Sequence, residues 1–439
     1  MEEKILECPY NDCNQNFNDN KKNFCTGCNR KIKYCNRCGK TYNRVYAVYC
    51  RNCGEKISDN EINWQMSRGG YSKTGISRYD IGFNINSLVD LKNQEITKFQ
   101  LSGPCKSLLI YENYLFAISM KGDVQIYEIL EKSLNKKIVF NLGESIFSEA
   151  AIADGSLYIG TKDYINAYSL CKLLSNNPSS EYRWQQEVTG TPIKSLIPVD
   201  DTLYFNLIFD DKHQEIHAIT NISDNLPDLN VIHEGPYLSS IAANYNSKVQ
   251  KVYFFSNTGP KNTLHVIDIN NGYDDILDIP LKKPGTRFND KIPVSVLGTK
   301  VFAVFEGKNE LRQIDSNSGF VEKNLGPNTK DYAMASLDNP VIVDTKGLKF
   351  ASSGYDIDLT IERQQVSGAP LILKNRGVVI GMRNGVVRIY DLENPAGTKK
   401  VWRISDNKPV FITSIVSSKN IIASGDQNGT VRISKLVSR

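Results

Sequence analysis

Short segments in which apolar and polar residues alternate fill most of the chain after residue 95. Alternation with a period of two is typical of β-strands that bury one face, and a helical period of 3.6 is nearly absent. The clearest segments come in pairs joined by a short turn that contains Asp, Asn or Gly. Four such pairs occupy residues 114–127, 155–168, 377–392 and 420–433. The pattern therefore predicts an all-β fold for this part of the chain.

Weaker copies of the same unit recur between the clear ones. They centre on residues 203–219, 252–269 and 301–314, and a degenerate copy comprises residues 340–343 followed by 348–352. Repeats of roughly 35–50 residues, each with four short strands, are typical of a β-propeller. We count eight blades, or seven if the degenerate copy is a loop. The chain ends on a third strand, so we expect residues 96–101 to supply the missing outer strand and hide the sheet edge.

Two tryptophans follow repeat units at the place where the outer strand of a blade is expected. Trp184 lies in Tyr-Arg-Trp and Trp402 lies in Val-Trp-Arg. A strand that ends in Tyr-Asp-Leu at residues 390–392, then a polar turn and a Trp-bearing strand, resembles quinoprotein-like repeats. The run Ser-Gly-Asp-Gln-Asn-Gly-Thr-Val-Arg-Ile at residues 424–433 resembles a WD40 blade, although the Gly-His and Trp-Asp pairs of WD40 repeats are missing.

The first 53 residues contain eight of the ten cysteines, in four closely spaced pairs. The spacing is C-x4-C-x11-C-x2-C, then six residues, then C-x2-C-x11-C-x2-C. Two thiolates on one tight turn, repeated once, can present four sulfurs to one zinc ion. The alternative is a disulfide cluster; we disfavour it because no secretory signal is recognised and the remaining 386 residues contain only Cys105 and Cys171. These two cysteines are expected to be small buried apolar residues. The predicted ligands of two zinc ions are Cys8, Cys13, Cys25, Cys28, Cys35, Cys38, Cys50 and Cys53.

The residues around these cysteines resemble the double zinc ribbon family, over residues 8–57 only. Gly39 and Gly54 each follow the second cysteine of a pair, where a knuckle often needs a positive φ, and the β-formers of residues 41–49 suit a hairpin. The first ribbon departs from the family pattern, since its first knuckle is wider and Asn29 follows its second. Because four cysteines leave no open coordination position, both zinc ions are predicted to be structural and to supply the folding free energy of this segment.

Charge in the N-terminal segment is nearly balanced once zinc is counted. Residues 1–57 carry eleven Lys or Arg and six Asp or Glu, a balance of +5, and two four-cysteine zinc sites of −2 each leave +1. Several basic residues nevertheless lie among tyrosines, an arrangement that can contact phosphates and stack on bases. The candidate nucleic-acid contacts are Lys31, Lys33, Arg37, Lys40 and Arg44. The near-neutral charge favours protein docking over nucleic-acid binding.

Candidate catalytic groups are sparse. The chain has four histidines, and His213 and His217 share one predicted strand with period-two spacing. A metal pair there is one interpretation, but we favour a solvated strand face because no neighbouring cysteine or carboxylate cluster completes a site. The chain has no Gly-x-Ser-x-Gly, phosphate loop or dinucleotide fingerprint. The sequence therefore predicts that the protein is not an enzyme.

The predicted organisation is a double zinc ribbon at residues 1–57, a polar linker or extended segment at 58–94, and a propeller at 95–439. The chain has no apolar stretch long enough to span a membrane and no export signal, so we expect a cytoplasmic protein. The favoured function is a scaffold or adaptor that binds protein partners through both modules within a larger assembly. Two alternatives stay open: a nucleic-acid-associated factor whose ribbons contact DNA or RNA, and a ligand sensor or enzyme that uses the propeller channel.

Overall fold

The computed structural model describes four short N-terminal strands and most of the repeat region. The described residues are 6–7, 16–17, 32–34, 42–44 and 91–438, except 154, 200, 211–212, 223–226, 246–249, 258–261, 270–272, 280–286, 337–338, 351–354, 360–364, 374–376, 393–398, 404–410 and 419. The N-terminal strands form two antiparallel hairpins. These are β1 (Leu6–Glu7) with β2 (Asn16–Phe17), and β3 (Ile32–Tyr34) with β4 (Tyr42–Arg44).

The repeat region forms eight four-stranded antiparallel sheets, which we call blades 1–8. In the first seven blades the strands pair in the order of the sequence, as expected for meanders joined by short turns. Blade 1 comprises β6 (Cys105–Tyr111), β7 (Tyr114–Ser119), β8 (Asp123–Ile129) and β9 (Leu134–Asn141). Blade 2 comprises β10 (Ala151–Ala153), β11 (Ser156–Gly160), β12 (Tyr164–Ser169) and β13 (Tyr182–Glu187), with a four-residue helix α1 (Leu170–Leu173) between its last two strands.

Blades 3–5 follow the same plan. Blade 3 comprises β14 (Thr191–Val199), β15 (Thr202–Asp210), β16 (His213–Thr220) and β17 (Asp228–Gly235). Blade 4 comprises β18 (Ala242–Tyr245), β19 (Gln250–Asn257), β20 (Asn262–Asp268) and β21 (Tyr273–Ile279). Blade 5 comprises β22 (Ser295–Leu297), β23 (Lys300–Phe305), β24 (Glu310–Asp315) and β25 (Val321–Gly326).

The last three blades include the degenerate repeat and the closing strand. Blade 6 comprises β26 (Asp331–Ser336), β27 (Asn339–Val343), β28 (Gly347–Phe350) and β29 (Tyr355–Asp358). Blade 7 comprises β30 (Leu371–Leu373), β31 (Gly377–Gly381), β32 (Val386–Asp391) and β33 (Lys399–Arg403). Blade 8 comprises β34 (Ile412–Ser418), β35 (Ile421–Asp426), β36 (Thr430–Ser438) and β5 (Leu91–Gln100).

The predicted eight-bladed propeller is confirmed, and the seven-bladed alternative is wrong. The degenerate copy at residues 340–352 supplies β27 and β28 of a complete blade. Trp184 and Trp402 lie in β13 and β33, the outer strands of their blades, as predicted.

The ring is closed by a strand from the beginning of the repeat region. β5 pairs with β36 in antiparallel register from Gln100 opposite Thr430 to Leu91 opposite Ser438. This pairing confirms the predicted role of residues 96–101. The strand begins earlier than expected, since its first four residues, 91–94, lie in the stretch 58–94 that the sequence indicates as a linker or extended segment.

The hydrophobic core lies between neighbouring blades. The first strands of successive blades contact one another around the ring, for example β6 with both β34 and β10, so they are innermost and the fourth strands are outermost. Leu108, Leu109 and Ile110 of β6 are consecutive and all fully buried. Both faces of an inner strand are covered by adjacent blades, which explains why apolar runs replace strict alternation there. Within the described residues, no helix is long and apolar enough to cross a membrane.

Candidate binding surfaces and side-chain clusters

The two N-terminal hairpins flank the first cysteine pair of each predicted zinc unit. β1 ends directly before Cys8, and β3 ends directly before Cys35. In both cases the partner strand begins after the second cysteine of the pair. A turn between two paired strands is where a zinc knuckle is expected. The β-formers at 42–44 therefore pair back across the third cysteine pair, and the rest of the expected 41–49 hairpin lies outside the described residues.

The eight predicted zinc ligands themselves lie outside the described residues. The same is true of three candidate nucleic-acid contacts, Lys31, Arg37 and Lys40. Lys33 and Arg44 lie in β3 and β4, opposite Asn43 and Ile32 respectively. The zinc sites and the nucleic-acid contacts therefore stay predictions.

Four exposed apolar side chains lie at one end of the propeller blades. Met120 and Phe209 lie where the second strand of a blade meets its third, and Phe147 and Phe411 lie between one blade and the next. In a four-stranded antiparallel meander these two kinds of connection are at the same edge of the sheet. The exposed fractions are 41% for Met120, 40% for Phe147, 38% for Phe209 and 42% for Phe411. We call these four residues the apolar rim.

Arginines stack on aromatic rings at the same end of the blades as the apolar rim. The Arg383 guanidinium lies 5.0 Å from the ring centroid of Phe411, and the Arg287 guanidinium lies 4.5 Å from that of Tyr237. Arg383 is in the connection between β31 and β32, and Arg287 is in the connection that precedes β22. Stacking holds these planar cations in place, where they can donate hydrogen bonds to a bound partner.

Lys194, in the inner strand of blade 3, has a pKa well below the ordinary value for lysine. It lies in β14 at a bulge, with a φ of +60°, which is uncommon for a residue other than glycine. Its ammonium group donates a hydrogen bond to the backbone carbonyl of Leu238, just before blade 4. Burial lowers the pKa of Lys194 to about 8, although the carboxylate of Asp290 opposes this shift. The contact with Leu238 ties blade 3 to blade 4, so the lysine has a structural partner.

The two histidines of β16 form a cluster that the sequence did not predict. His217 is only 4% exposed and stacks on Phe205, so the expected solvated strand face is wrong for this residue. Glu215 lies between the histidines on the same face, since side chains alternate along a strand. Its two carboxylate oxygens lie 2.7 Å from His213 Nε2 and 2.5 Å from His217 Nε2. Burial raises the pKa of Glu215, but hydrogen bonds from His217 and His213 together outweigh this effect and lower the pKa below its ordinary value.

The sequence contained the signal for this carboxylate. The segment His-Gln-Glu-Ile-His places Glu215 at period-two spacing from both histidines, so all three side chains share a face. The sequence analysis rejected a metal pair for want of a neighbouring carboxylate, yet Glu215 lies in the same strand as the two histidines.

The two cysteines of the repeat region differ in exposure. Cys105 is buried, as expected, and burial strongly raises the pKa of its thiol. Cys171 lies in α1 and is exposed, so the expectation that both are buried is wrong for Cys171.

Comparisons with known proteins identify the fold alone. No protein-family model matches the chain, and no curated protein sequence matches it significantly. Among solved structures, the computationally designed Ika8 protein matches with a TM-score of 0.57 and 13% identity, over 78% of this chain and 99% of that chain. BamB from Moraxella catarrhalis matches with a TM-score of 0.55 and 13% identity, over 78% of this chain and 100% of that chain.

A third structure, the Dos1 propeller, matches with a TM-score of 0.53 and 12% identity, over 78% of this chain and 95% of that chain. At this level of identity, the similarity to BamB and to the other two structures concerns the propeller fold. The chain thus contains a β-propeller that resembles BamB in fold.

Proposed function

We propose that the protein is a non-enzymatic scaffold that binds protein partners through its propeller and its N-terminal zinc ribbons. The apolar rim is the observation that supports this proposal most directly. Among the described residues, it gathers four exposed large apolar side chains at one end of the blades, whereas three, Leu130, Tyr182 and Phe320, lie at the opposite end. Aromatic residues, Met and Arg are enriched in protein interfaces, and all three kinds occur at the rim end.

The zinc ribbons supply the second contact. The paired strands beside Cys8 and Cys35 support the ribbon proposal, because a knuckle lies between paired strands. Two structural zinc ions would hold the ribbons rigid enough to dock on a protein surface. Thiolate ligation requires reduced cysteines, so we place the protein in the cytoplasm.

A chain with two binding modules binds most tightly to partners that belong to the same complex. When one module is bound, the other experiences a high effective concentration of its own target, so two weak contacts give a stronger overall one. A protein built in this way would hold two subunits of one assembly together. Its inner-strand residues would then be structural, as the contact of Lys194 with Leu238 suggests.

The test is a comparison of partners captured by matched surface variants. Phe147→Glu combined with Phe411→Glu places two charges on the apolar rim, and Phe320→Glu places one at the opposite end, where the native side chain is 64% exposed. Tagged full-length proteins are purified from the native host, and co-purifying chains are identified by mass spectrometry. The rim variant should lose chains that the wild type and Phe320→Glu both retain.

Two results would contradict the proposal. The first is an unchanged set of partners for the rim variant with an unchanged melting temperature. The second is a substitution at Lys194 that abolishes a cellular activity while every partner stays bound, because this result would favour the ligand sensor or enzyme that uses the channel.

A further inference from the structure

One histidine and two glutamates lie close together on the outer half of blade 3. His213 Nε2, a carboxylate oxygen of Glu215 and a carboxylate oxygen of Glu234 all lie within 4.8 Å of one another. Atoms this close can bind one cation with small side-chain movements, since metal–ligand distances of about 2.0–2.2 Å place ligand atoms roughly 3–3.5 Å apart.

The strand register fixes these three residues on one face of the sheet. Glu215 in β16 lies directly opposite Glu234 in β17. His213 precedes Glu215 by two residues, and period-two alternation puts both side chains on the same side. The positions are set by paired strands rather than by loops, and a site on strands is held more precisely than one on loops.

The charges in this cluster are unbalanced without a cation. Like charges directly opposite one another destabilise an antiparallel pair. In the described part of the chain, Glu215 pairs only with His213 and His217, and no Lys or Arg forms an ion pair with Glu215 or Glu234. A divalent cation bound between the two carboxylates would offset their repulsion.

His217 positions the central carboxylate. It is buried and stacked on Phe205 with ring centroids 5.7 Å apart, so its ring is held firmly. Its Nε2 lies 2.5 Å from one oxygen of Glu215, which leaves the other oxygen directed towards His213. A hydrogen bond to the remaining oxygen of a ligating carboxylate is typical of the outer shell of metal sites.

We propose that His213, Glu215 and Glu234 form a divalent transition-metal site on blade 3, with His217 as a positioning residue. One imidazole and two carboxylates suit Zn²⁺ and its neighbours Co²⁺ and Ni²⁺. The side chain of His213 is 40% exposed and Glu234 is exposed, so the ion can enter from solvent. Binding requires the Nε2 lone pair of His213, so the proton that Nε2 shares with Glu215 moves to Nδ1 or is released.

This site is independent of the scaffold proposal and of the cysteine sites. Three protein ligands leave at least one coordination position for water, and no thiolate is involved. The ion would cross-link β16 and β17, the two outer strands of blade 3. We therefore expect Zn²⁺ to raise the melting temperature of the propeller.

The experiment is a Zn²⁺ titration of full-length protein from which a weak chelator has removed loosely held metal. Calorimetry should show about one further equivalent bound by the wild type. Glu234→Gln should weaken this equivalent at least tenfold, since it loses a ligand. The matched control is Glu181→Gln, an exposed glutamate in blade 2 that pairs with Lys172, and it should bind like the wild type.

Two further readouts separate metal binding from folding. Without added metal, Glu234→Gln should melt at or slightly above the wild-type temperature, because it removes the repulsion with Glu215. Co²⁺ bound at the new site should absorb in the visible region without the thiolate charge-transfer bands that cysteine sites give. The proposal is overturned if the wild type binds no further equivalent, if Glu234→Gln and Glu181→Gln bind equally, or if the added Co²⁺ shows thiolate bands.

Discussion

The guanidinium of Arg432 donates a hydrogen bond of 2.8 Å to the carboxylate of Glu95, a residue 337 positions earlier in the chain. The contact joins β36 to β5 across the last strand pair of blade 8. Gln100 strengthens the same join, since its side-chain amide donates to the backbone carbonyl of Asn428 at 2.5 Å. The ring is thus closed by both a backbone ladder and side-chain contacts between distant parts of the sequence.

Removal of the closing strand should destabilise the propeller. Deletion of residues 1–90 leaves β5 intact, so it should melt like a chain that lacks only residues 1–57. Deletion of residues 1–103 removes β5 and exposes the edge of β36, which should lower the melting temperature and promote aggregation. Thermal unfolding followed by circular dichroism measures the difference. Equal melting temperatures for all three deletions would show that the ring closes in another way.

The ion pair alone should contribute little to this closure. The side chain of Arg432 is only 9% exposed, but that of Glu95 is 42% exposed and is screened by water, and pairs screened in this way typically contribute about 0.2–1 kcal/mol. Glu95→Gln should therefore lower the free energy of unfolding by no more than this amount. A loss comparable to that of the 1–103 deletion would contradict the view that the backbone ladder dominates.

A glycine at the junction of blades 8 and 1 should not tolerate a methyl group. A Cβ added to Gly425 in β35 would lie 2.3 Å from Sγ of Cys105 in β6. Overpacking of this kind costs about 1–3 kcal/mol. Gly425→Ala should lower the free energy of unfolding in urea by that amount, whereas Gly368→Ala, whose nearest atom would be 3.6 Å away, should change it little.

The double variant tests the cause of this loss. Replacing Cys105 by Ala removes the sulfur that the new methyl group meets, so Gly425→Ala with Cys105→Ala should recover part of the stability. Fully additive losses would show that Sγ of Cys105 is not responsible, since Cβ of residue 105, which lies 2.7 Å from the new methyl group, remains in the double variant.

The sequence predicted most of the propeller because its strands repeat. The unit at residues 420–433 combines alternation with an Asp-x-Asn-Gly turn, and the structure shows why the turn has this composition: Asp426 accepts hydrogen bonds from the backbone of Asn428 and Thr430. Blade 6 gave a weaker signal because β28 has only four residues. The inner strand β6 gave a run of apolar residues because both of its faces are buried.

Only part of the blade 3 cluster could be predicted from the sequence. Alternation could have placed Glu215 beside His213 and His217, since all three belong to one strand. The approach of Glu234 depends on the register of β16 and β17, and a bulge between Ile216 and His217 shifts this register. The pattern of one chain does not reveal such a bulge, so the second carboxylate became visible only in the folded sheet.

Lys194 should make the stability of the propeller depend on alkaline pH. Its pKa of about 8 in the folded protein lies below its ordinary value of 10.5, because burial disfavours the ammonium form. Below about pH 8 the lysine is charged in both states, and folding bears the full cost of burying the charge. Between pH 8 and 10.5 the unfolded chain binds more protons than the folded protein, so this group makes the free energy of unfolding rise with pH.

The measurement compares wild type with Lys194→Met at several pH values, because other titrating groups then cancel. The free energy of unfolding of the wild type should increase relative to that of the variant between about pH 8 and 10, within the interval set by the shifted pKa. A constant difference would show that the amine is not desolvated. A difference that moves the other way would mean that the charged form is stabilised in the folded protein.

The N-terminal cysteines should hold two zinc ions, and this metal can be distinguished experimentally from metal bound at the blade 3 site. After treatment with a weak chelator, metal analysis should find about two zinc ions per chain, because four thiolates bind zinc far more tightly than mixed surface ligands do. Cys38→Ser should remove about one equivalent and unfold the second ribbon, since this segment has too few aliphatic residues to fold without metal. Cys171→Ser, which alters the exposed cysteine of α1, is the matched control and should retain both ions.

The melting transition of the propeller should stay unchanged in Cys38→Ser. If cysteines 8–53 of protein purified without oxygen prove to be joined by disulfides, the zinc sites are refuted and with them the ribbon half of the proposed scaffold.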